Sequence, residues 1–200
     1  MDIFDHFGLD KGNFPRRLIG AYSGELLLVG GGRCVWEDTR GLPISTTTMV
    51  VNDMGMYWPG KITHWYSNDI EQLIHWAPGR RRRLQTLYGG GGKLHSCFTR
   101  DGPGYQHVNH WPFPGQGSSG LVALLVAIAM GYDNITVVGV PFDNSGHFYD
   151  PPHGHTLGGG NLWSNFEGET PDRLIQRTLP FLVGKVRAIS GRLKEALENE

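Results

Sequence analysis

The sequence predicts one α/β domain: a Rossmann-like, doubly wound and mostly parallel sheet with helices on both faces. Short β-rich runs alternate with helical segments along the 200 residues, an order that is typical of parallel strands. The clearest unit is an apolar helix predicted over 119–130, which Gly131 ends and a strand predicted over 135–140 follows. No repeat or linker divides the chain, so residues 1–200 are expected to form a single domain.

Further elements are predicted on both sides of that helix. Residues 1–24 have no clear periodicity and are expected to form an irregular segment. From Thr170, the sequence Thr-Pro-Asp is typical of a helix start, so C-terminal helices are expected over 171–200, kinked at Pro180 and interrupted at Gly191. Apolar or β-branched runs predict strands over 25–29, 47–52, 62–67, 85–88 and 94–98, and helical patterns predict short helices over 34–42 and 69–76.

Composition argues against several classes of partner and location. A net charge of −1 makes general electrostatic binding of nucleic acid an unfavoured hypothesis. The basic run Arg80–Arg83 is interpreted as a solvated helix end. No apolar run approaches membrane-spanning length, and two cysteines are too few for a secreted disulfide framework. A reduced, cytoplasmic setting without a membrane span is therefore expected.

The start of the apolar helix is the first candidate binding feature. Leu121–Met130 carries no charged residue, so the helix is expected to be buried. Ser118, Ser119 and Gly120 form a small polar turn that is expected to leave several backbone N–H groups free. Free amides and the positive end of the helix dipole together favour a phosphate group. The turn therefore predicts a nucleotide or another phosphorylated ligand.

Two other loops are predicted to meet this helix start. In a parallel sheet the ligand lies beyond the carboxyl ends of the strands, so the loops after Val29, Val51 and Val140 are expected to share one crevice. Gly30-Gly31-Gly32 forms the first loop, but the dinucleotide fingerprint is incomplete because Val35 holds the position of its third glycine. A glycine turn that admits a ligand is favoured over a purely structural turn.

Asn52 and Asp53 end the second of these strands. They either hydrogen-bond a ribose or a base, or they form an ordinary Asx turn, which is favoured when the pair is considered alone. In the shared crevice they join the predicted nucleotide-binding set, which is Gly30, Gly31, Gly32, Asn52, Asp53, Ser118, Ser119 and Gly120.

The loop after the third strand is rich in groups that transfer protons. His147, Asp150, His153 and His155 lie within nine residues, and imidazoles titrate near neutral pH. Proton transfer is favoured over metal binding because no thiolate or further carboxylate completes a metal site, and a plain polar surface loop is the third interpretation. The predicted catalytic residues are His147, His155 and Asp143, and no metal site is predicted.

Three stretches of the chain resemble motifs of the sialyltransferase family and its bacterial, archaeal and phage relatives. Val29-Gly30-Gly31 and Met49–Asn52 are similar to the two ends of the first motif. Ser118–Val140 is similar to the second motif over nearly its whole length, and His147–Asp150 is similar to the third, His-Tyr-Tyr-Glu. The compact length also resembles small phage-encoded members.

The chain departs from that family at some motif positions. Gly31 stands where the first motif has asparagine, Val50 stands where it has arginine, and no His-x4-Glu base motif follows His147. The resemblance implies a metal-independent glycosyltransferase that needs no cofactor and takes a nucleotide-activated sugar, the CMP-sugar being favoured. It further implies that His147 donates to the departing phosphate, and His155 or His153 is a substitute for the missing base.

Two alternatives stay open at this stage. The Ser-Gly helix and the strand end also resemble the archaeal-type 6-hydroxymethylpterin pyrophosphokinases, which implies phosphoryl transfer with Mg²⁺ held by carboxylates such as Asp53, Asp69 or Asp143. The absence of the His-x4-Glu motif, which supplies the general base, favours a third hypothesis: a non-catalytic protein that binds a nucleotide. All three interpretations share a nucleotide-containing small molecule as the ligand.

Overall fold

The strands form one open parallel sheet, as the sequence predicts. The computed structural model describes residues 2–43, 47–84, 92–97, 107–113, 118–143, 145–150 and 171–200. The strands in chain order are β1 (Glu25–Val29), β2 (Thr48–Val51), β3 (His64–Ser67), β4 (Lys93–Cys97), β5 (Val108–Trp111), β6 (Asn134–Val138) and β7 (Val186–Ala188). The α-helices are α1 (Ile3–His6), α2 (Val35–Asp38), α3 (Met54–Tyr57), α4 (Ile70–Leu84), α5 (Ser119–Met130), α6 (Pro171–Leu182) and α7 (Gly191–Glu198).

The order of the strands marks where a ligand is expected. The seven strands lie in the order β5-β4-β3-β2-β1-β6-β7, and every pairing is parallel. The chain runs outward from β1 to β5 on one side and then crosses to β6 and β7 on the other. The topological switch point therefore lies between β1 and β6, and open α/β sheets bind their ligands at the carboxyl ends of such a strand pair.

Helices cover both faces of the sheet, and successive strand residues point to opposite faces, so each strand contributes to two cores. Leu28 packs on one face with α5, α6, α7 and the N-terminal segment. Leu27 and Val29 pack on the other face with α2, α3 and α4. The helix α5 is buried along almost its whole length, which explains why it is apolar all round. Gly131, in the left-handed region at φ 106°, ends it as predicted.

The chain termini differ from the sequence expectation. Residues 1–24 are not wholly irregular, because Asp2 caps α1 by accepting the Phe4 N–H at 3.0 Å and two 3-10 turns follow at Lys11–Asn13 and Arg16–Leu18. Strand β7 lies between α6 and α7, where only helices were expected. Pro180 does not divide α6, and Gly191 begins α7 instead of interrupting it.

The central elements match the prediction with shifted bounds. The strands expected over 47–52, 62–67 and 94–98 are β2, β3 and β4, whereas β5 was not expected. The strand expected over 85–88 lies outside the described residues. Within the described ranges, no helix has the length and apolar character needed to cross a bilayer.

A chain of buried polar groups crosses the face of the sheet that α5 covers. The Trp111 Nε1–H donates to His95 Nδ1 at 3.1 Å, and His95 Nε2 lies 3.0 Å from His64 Nδ1. His64 Nε2 lies 2.9 Å from the Tyr132 hydroxyl. Because an indole N–H can only donate, the direction of every bond follows: each neutral imidazole accepts at Nδ1 and donates at Nε2. Both rings are fully buried, and the chain satisfies all four of their nitrogens.

Candidate functional site

A cavity of about 130 Å³ lies at the switch point, between the loops after β1, β2 and β6 and the start of α5. The structure brings ten of the eleven predicted site residues into its lining, and the eleventh, His155, lies outside the described residues. The predicted residues that line the cavity are Gly30, Gly31, Gly32, Asn52, Asp53, Ser118, Ser119, Gly120, Asp143 and His147. The sequence did not single out the rest of the β6 loop, which contributes Gly139, Val140, Pro141, Phe142 and Gly146.

Backbone hydrogen bonds fasten the His147 loop to the glycine turn after β1. Gly32 and His147 form an antiparallel bridge. The Phe148 N–H donates to Gly31 O at 3.1 Å, and the Arg33 N–H donates to Gly146 O at 3.0 Å. Main-chain hydrogen bonds therefore fix the position of His147 at the cavity.

Asp150 orients His147. The Asp150 carboxylate is 5% exposed, and its Oδ2 accepts the His147 backbone N–H at 2.7 Å. The same oxygen lies 3.5 Å from His147 Nδ1, close enough for an ion pair when the imidazole is protonated. The ring thus presents Nδ1 to the carboxylate and its opposite edge to the cavity, where Cδ2 faces Gly31. The His-x-x-Asp spacing is the sequence signal for this pair, since an acid three residues on can cap the turn.

The three glycines of the turn have different roles. A Cβ on Gly30 would lie 2.5 Å from Gly139 O, and a Cβ on Gly32 would lie 2.6 Å from Pro141 Cδ. These two glycines let the β1 turn pack against the β6 turn. A Cβ on Gly31 would lie 3.4 Å from His147 Cδ2 and 3.6 Å from Asp53 Oδ1, which are ordinary contacts. Gly31 is therefore the glycine that faces the ligand space.

This difference predicts that alanine at Gly30 destabilises the fold, whereas alanine at Gly31 leaves its stability almost unchanged. Gly30→Ala is expected to lower the free energy of unfolding by about 1–3 kcal/mol, because backbone and a β-branched side chain block the new methyl group. Gly31→Ala is expected to change it by less than about 0.5 kcal/mol, since its methyl group would make only ordinary van der Waals contacts with His147 and Asp53. Urea denaturation of both variants measures this, and equal destabilisation by the two would contradict the assignment.

The start of α5 is only partly as expected. Ser118 caps the helix: its Oγ accepts the Gly120 N–H at 3.2 Å, and its carbonyl accepts the Leu121 and Val122 N–H groups. The expectation of several free amides is therefore wrong for Gly120, because a serine at the N-cap takes that amide itself. The Ser119 N–H is not part of these cap bonds. The positive end of the helix dipole still points at the cavity.

Backbone strain is concentrated at this cavity. Asn52 (φ 52°) and Phe142 (φ 54°) are the two non-glycine residues with positive φ in the described part of the chain, and both line it. Such conformations cost energy and cluster at functional sites. Asn52 Oδ1 accepts the Ser67 hydroxyl at 3.0 Å, so the group that Asn52 can offer a ligand is its amide NH₂.

The carboxylates of the site are not assembled like a metal centre. Asp53 bonds the Tyr149 hydroxyl; burial first, and then this bond, raises the pKa of Tyr149, which keeps the phenol neutral. Asp143 is exposed, and its Oδ1 accepts the Ser145 N–H at 2.9 Å. Asp69, the third suggested Mg²⁺ ligand, is not part of the described lining. Among the residues described, no group of three His, Cys, Asp or Glu side chains could hold a metal ion.

The fold and the switch-point cavity define an α/β protein of Rossmann-like fold. Solved structures similar to it include the sialyltransferase CstII from Campylobacter jejuni in complex with the substrate analogue CMP-3FNeuAc, at 14% identity and a TM-score of 0.54 over 82% of this chain and 80% of that one. The CstII complex with cytidine-5'-monophosphate is similar at 14% identity and a TM-score of 0.53, over 83% and 79%. No family model and no curated protein matches the chain.

Proposed function

We propose that the chain is a glycosyltransferase that takes its sugar from a CMP-activated donor and needs no metal ion. The observation that carries the proposal is the His147–Asp150 pair, held against a glycine turn at the switch point of the sheet. A histidine oriented by a buried carboxylate is the arrangement that enzymes use for proton transfer. The likeness of the fold to CstII, whose structures hold CMP compounds, supports the choice of donor.

The size of the cavity limits what it holds. Pockets for whole cofactors measure roughly 300–1,000 Å³. The 130 Å³ that the described residues line suits a phosphate and the adjoining bond of the proposed donor. In the proposal, the α5 dipole and the Ser119 N–H face the phosphate, and the nucleoside extends past Gly31, Asn52 and Asp53.

The proposed reaction replaces one bond to the anomeric carbon by another. The bond between that carbon and the phosphate oxygen breaks, and its electron pair leaves with CMP. His147 donates a proton to the departing phosphate, and Asp150 offsets the positive charge of the protonated ring. The acceptor hydroxyl oxygen bonds the anomeric carbon and loses its proton to a base. His155, which lies outside the described residues, is the base that the sequence suggests.

Ligand-induced thermal stabilisation tests the donor class. A ligand that binds only the native state raises the Tm, so CMP is expected to raise it more than UDP, GDP, ATP or a pterin at equal concentration. Transfer from a CMP-sugar is expected to be unchanged by EDTA. A shift with ATP or a pterin that needs Mg²⁺ would instead favour the pyrophosphokinase. CMP binding without any turnover by mass spectrometry would favour the non-catalytic protein.

Gly31→Ala provides a matched variant for the same measurement. Its methyl group would stand between His147 and Asp53, so the Tm rise with CMP is expected to be smaller than in the wild-type protein. Gly79→Ala is the matched control, because its methyl group would lie 3.4 Å from Met56 Sδ and away from the cavity. Its Tm rise with CMP is expected to equal that of the wild-type protein. An unchanged CMP response in Gly31→Ala would contradict the placement of the ligand.

A further inference from the structure

Five aromatic side chains form a continuous surface beside the cavity. We call Trp36, Tyr57, Trp58, Phe148 and Tyr149 the aromatic wall. Trp36 and Trp58 are parallel to within 1° at 6.4 Å, and Phe148 meets Trp36 and Tyr57 edge-on at 5.3 and 5.2 Å. Tyr149 packs on Tyr57 at 5.7 Å. The residues come from the segments that follow β1, β2 and β6, and the same segments supply lining residues of the cavity.

Part of this wall is open to solvent. Trp36 is 43% exposed and Tyr149 is 37% exposed. The described residues include one other large, exposed apolar side chain, Val183, which is 46% exposed. It follows α6 and lies apart from the wall. Exposed aromatic rings that touch one another mark a binding surface more often than scattered ones do.

A buried cation holds the turn that carries Trp58. The Arg80 guanidinium is 2% exposed and donates to the carbonyl oxygens of Gly55, Trp58 and Gly60 at 2.9, 2.9 and 2.8 Å. The interpretation of the basic run as a solvated helix end is therefore wrong for Arg80. Because three bonds fix this turn, the wall is preorganised for a ligand.

His147 lies between the cavity and the wall. Its ring stacks on Tyr149 at 5.1 Å and 5°, and its Cδ2 edge faces Gly31 on the cavity side. The Tyr149 hydroxyl bonds Asp53, which lines the cavity. The wall packs with the core that α2, α3 and α4 cover, whereas α5 belongs to the core on the other face of the sheet. A molecule on the wall would thus border the cavity on the side away from α5, so that it and the phosphate lie on opposite sides of the cavity.

Resting on the proposed function, we infer that the aromatic wall is the acceptor subsite and that it binds one pyranose ring by its apolar face. A pyranose has a face of C–H groups and a rim of hydroxyls, which matches flat aromatic rings edged by the hydroxyl groups of Tyr57 and Tyr149.

Saturation-transfer NMR with three probes tests this assignment. Lactose, methyl β-D-glucopyranoside and methyl α-D-mannopyranoside are added at millimolar concentrations to the wild-type protein and to the variants Trp36→Ala, Trp36→Phe and Val183→Ala. At least one probe is expected to bind the wild type. Trp36→Ala is expected to weaken that binding by about tenfold, because the ring buries apolar area against the sugar. Trp36→Phe is expected to be intermediate, and Val183→Ala is the matched control with wild-type binding.

The Tm rise with CMP, measured on the same four proteins, separates the possible failures. An unchanged CMP response in Trp36→Ala supports an acceptor subsite, whereas a lost CMP response would mean that the wall holds the nucleobase and would overturn the inference. Absence of saturation transfer from the wild-type protein to any of the three probes would overturn it too, without affecting CMP binding. Sugar binding without any CMP response would keep the sugar site and overturn the proposed function.

Discussion

Replacing His147 by alanine is expected to lower the rate of sugar transfer by about 10²–10³-fold, the effect of removing one preorganised donor from a transition state. CMP affinity is expected to stay within about tenfold of the wild type, because most contacts proposed for the nucleotide lie elsewhere. The fold is expected to persist, since the loop is held by the main chain of Gly32, Arg33 and Phe148. Chromatography of released CMP measures transfer, and calorimetry measures affinity.

Two further variants make this result specific. Asp150→Asn keeps an acceptor for the His147 N–H but removes the negative charge beside Nδ1, so a loss of activity smaller than that of His147→Ala is expected, with CMP affinity again retained. His75 is exposed on α4, so His75→Ala is expected to have wild-type activity. Full activity in His147→Ala would reject the assigned role.

The sequence predicts the central helix and the meeting of the loops for local reasons. A run without charges, a serine before it and a glycine after it give the bounds Ser119–Met130 without any knowledge of the rest of the fold. The shared crevice follows from parallel strands, whose carboxyl ends meet at one edge. These signals need only neighbouring residues or a general rule of topology.

Other parts of the site depend on contacts between distant residues, which one sequence does not reveal. Asp38 is buried, and its Oδ2 accepts the Gly139 N–H at 2.9 Å and the Ser190 hydroxyl at 2.8 Å, although 101 and 152 residues separate these partners from it. The aromatic wall likewise combines residues from the segments that follow β1, β2 and β6. Strands β5 and β7 lie at the two edges of the sheet and have only four and three residues, too few to show a strand pattern.

Lowering the pH from 7.5 to 5 is expected to lower the free energy of unfolding by about 4 kcal/mol through His64 and His95 alone. Burial, and then the positive charge of Lys93, lowers the pKa of His64 from 6.5 to about 4. Burial, His64 and Lys93 lower the pKa of His95 further. Among the described residues, the groups that face the two rings are the Trp111 indole, the Tyr132 hydroxyl and the Tyr22 ring, and none is a carboxylate that could stabilise a charged imidazole.

The sign follows from which state binds the proton. Because the folded pKa values lie below the unfolded value of 6.5, the unfolded chain takes up protons first, and the stability present above pH 6.5 is lost as the pH falls toward 4. A pH of 5 lies about 1.5 units below the unfolded pKa of each histidine, so each one lowers the free energy of unfolding by about 2 kcal/mol. For a domain whose total stability is about 5–15 kcal/mol, the loss is large enough to shift a urea midpoint visibly.

Urea denaturation at pH 7.5 and pH 5 measures the loss, and two variants assign it. His64→Gln removes one of the two buried titrations, so its stability is expected to fall by about 2 kcal/mol between the two pH values instead of about 4, whatever its stability at pH 7.5. His75→Gln removes an exposed histidine and is expected to keep the wild-type difference. If His64→Gln also kept that difference, other groups would cause the acid sensitivity. The buried chain from Trp111 to Tyr132 would then tolerate a proton. That would require a further acceptor at the Nδ1 of His64 or His95, because each Nδ1 already accepts a hydrogen bond and its added N–H would point at a donor.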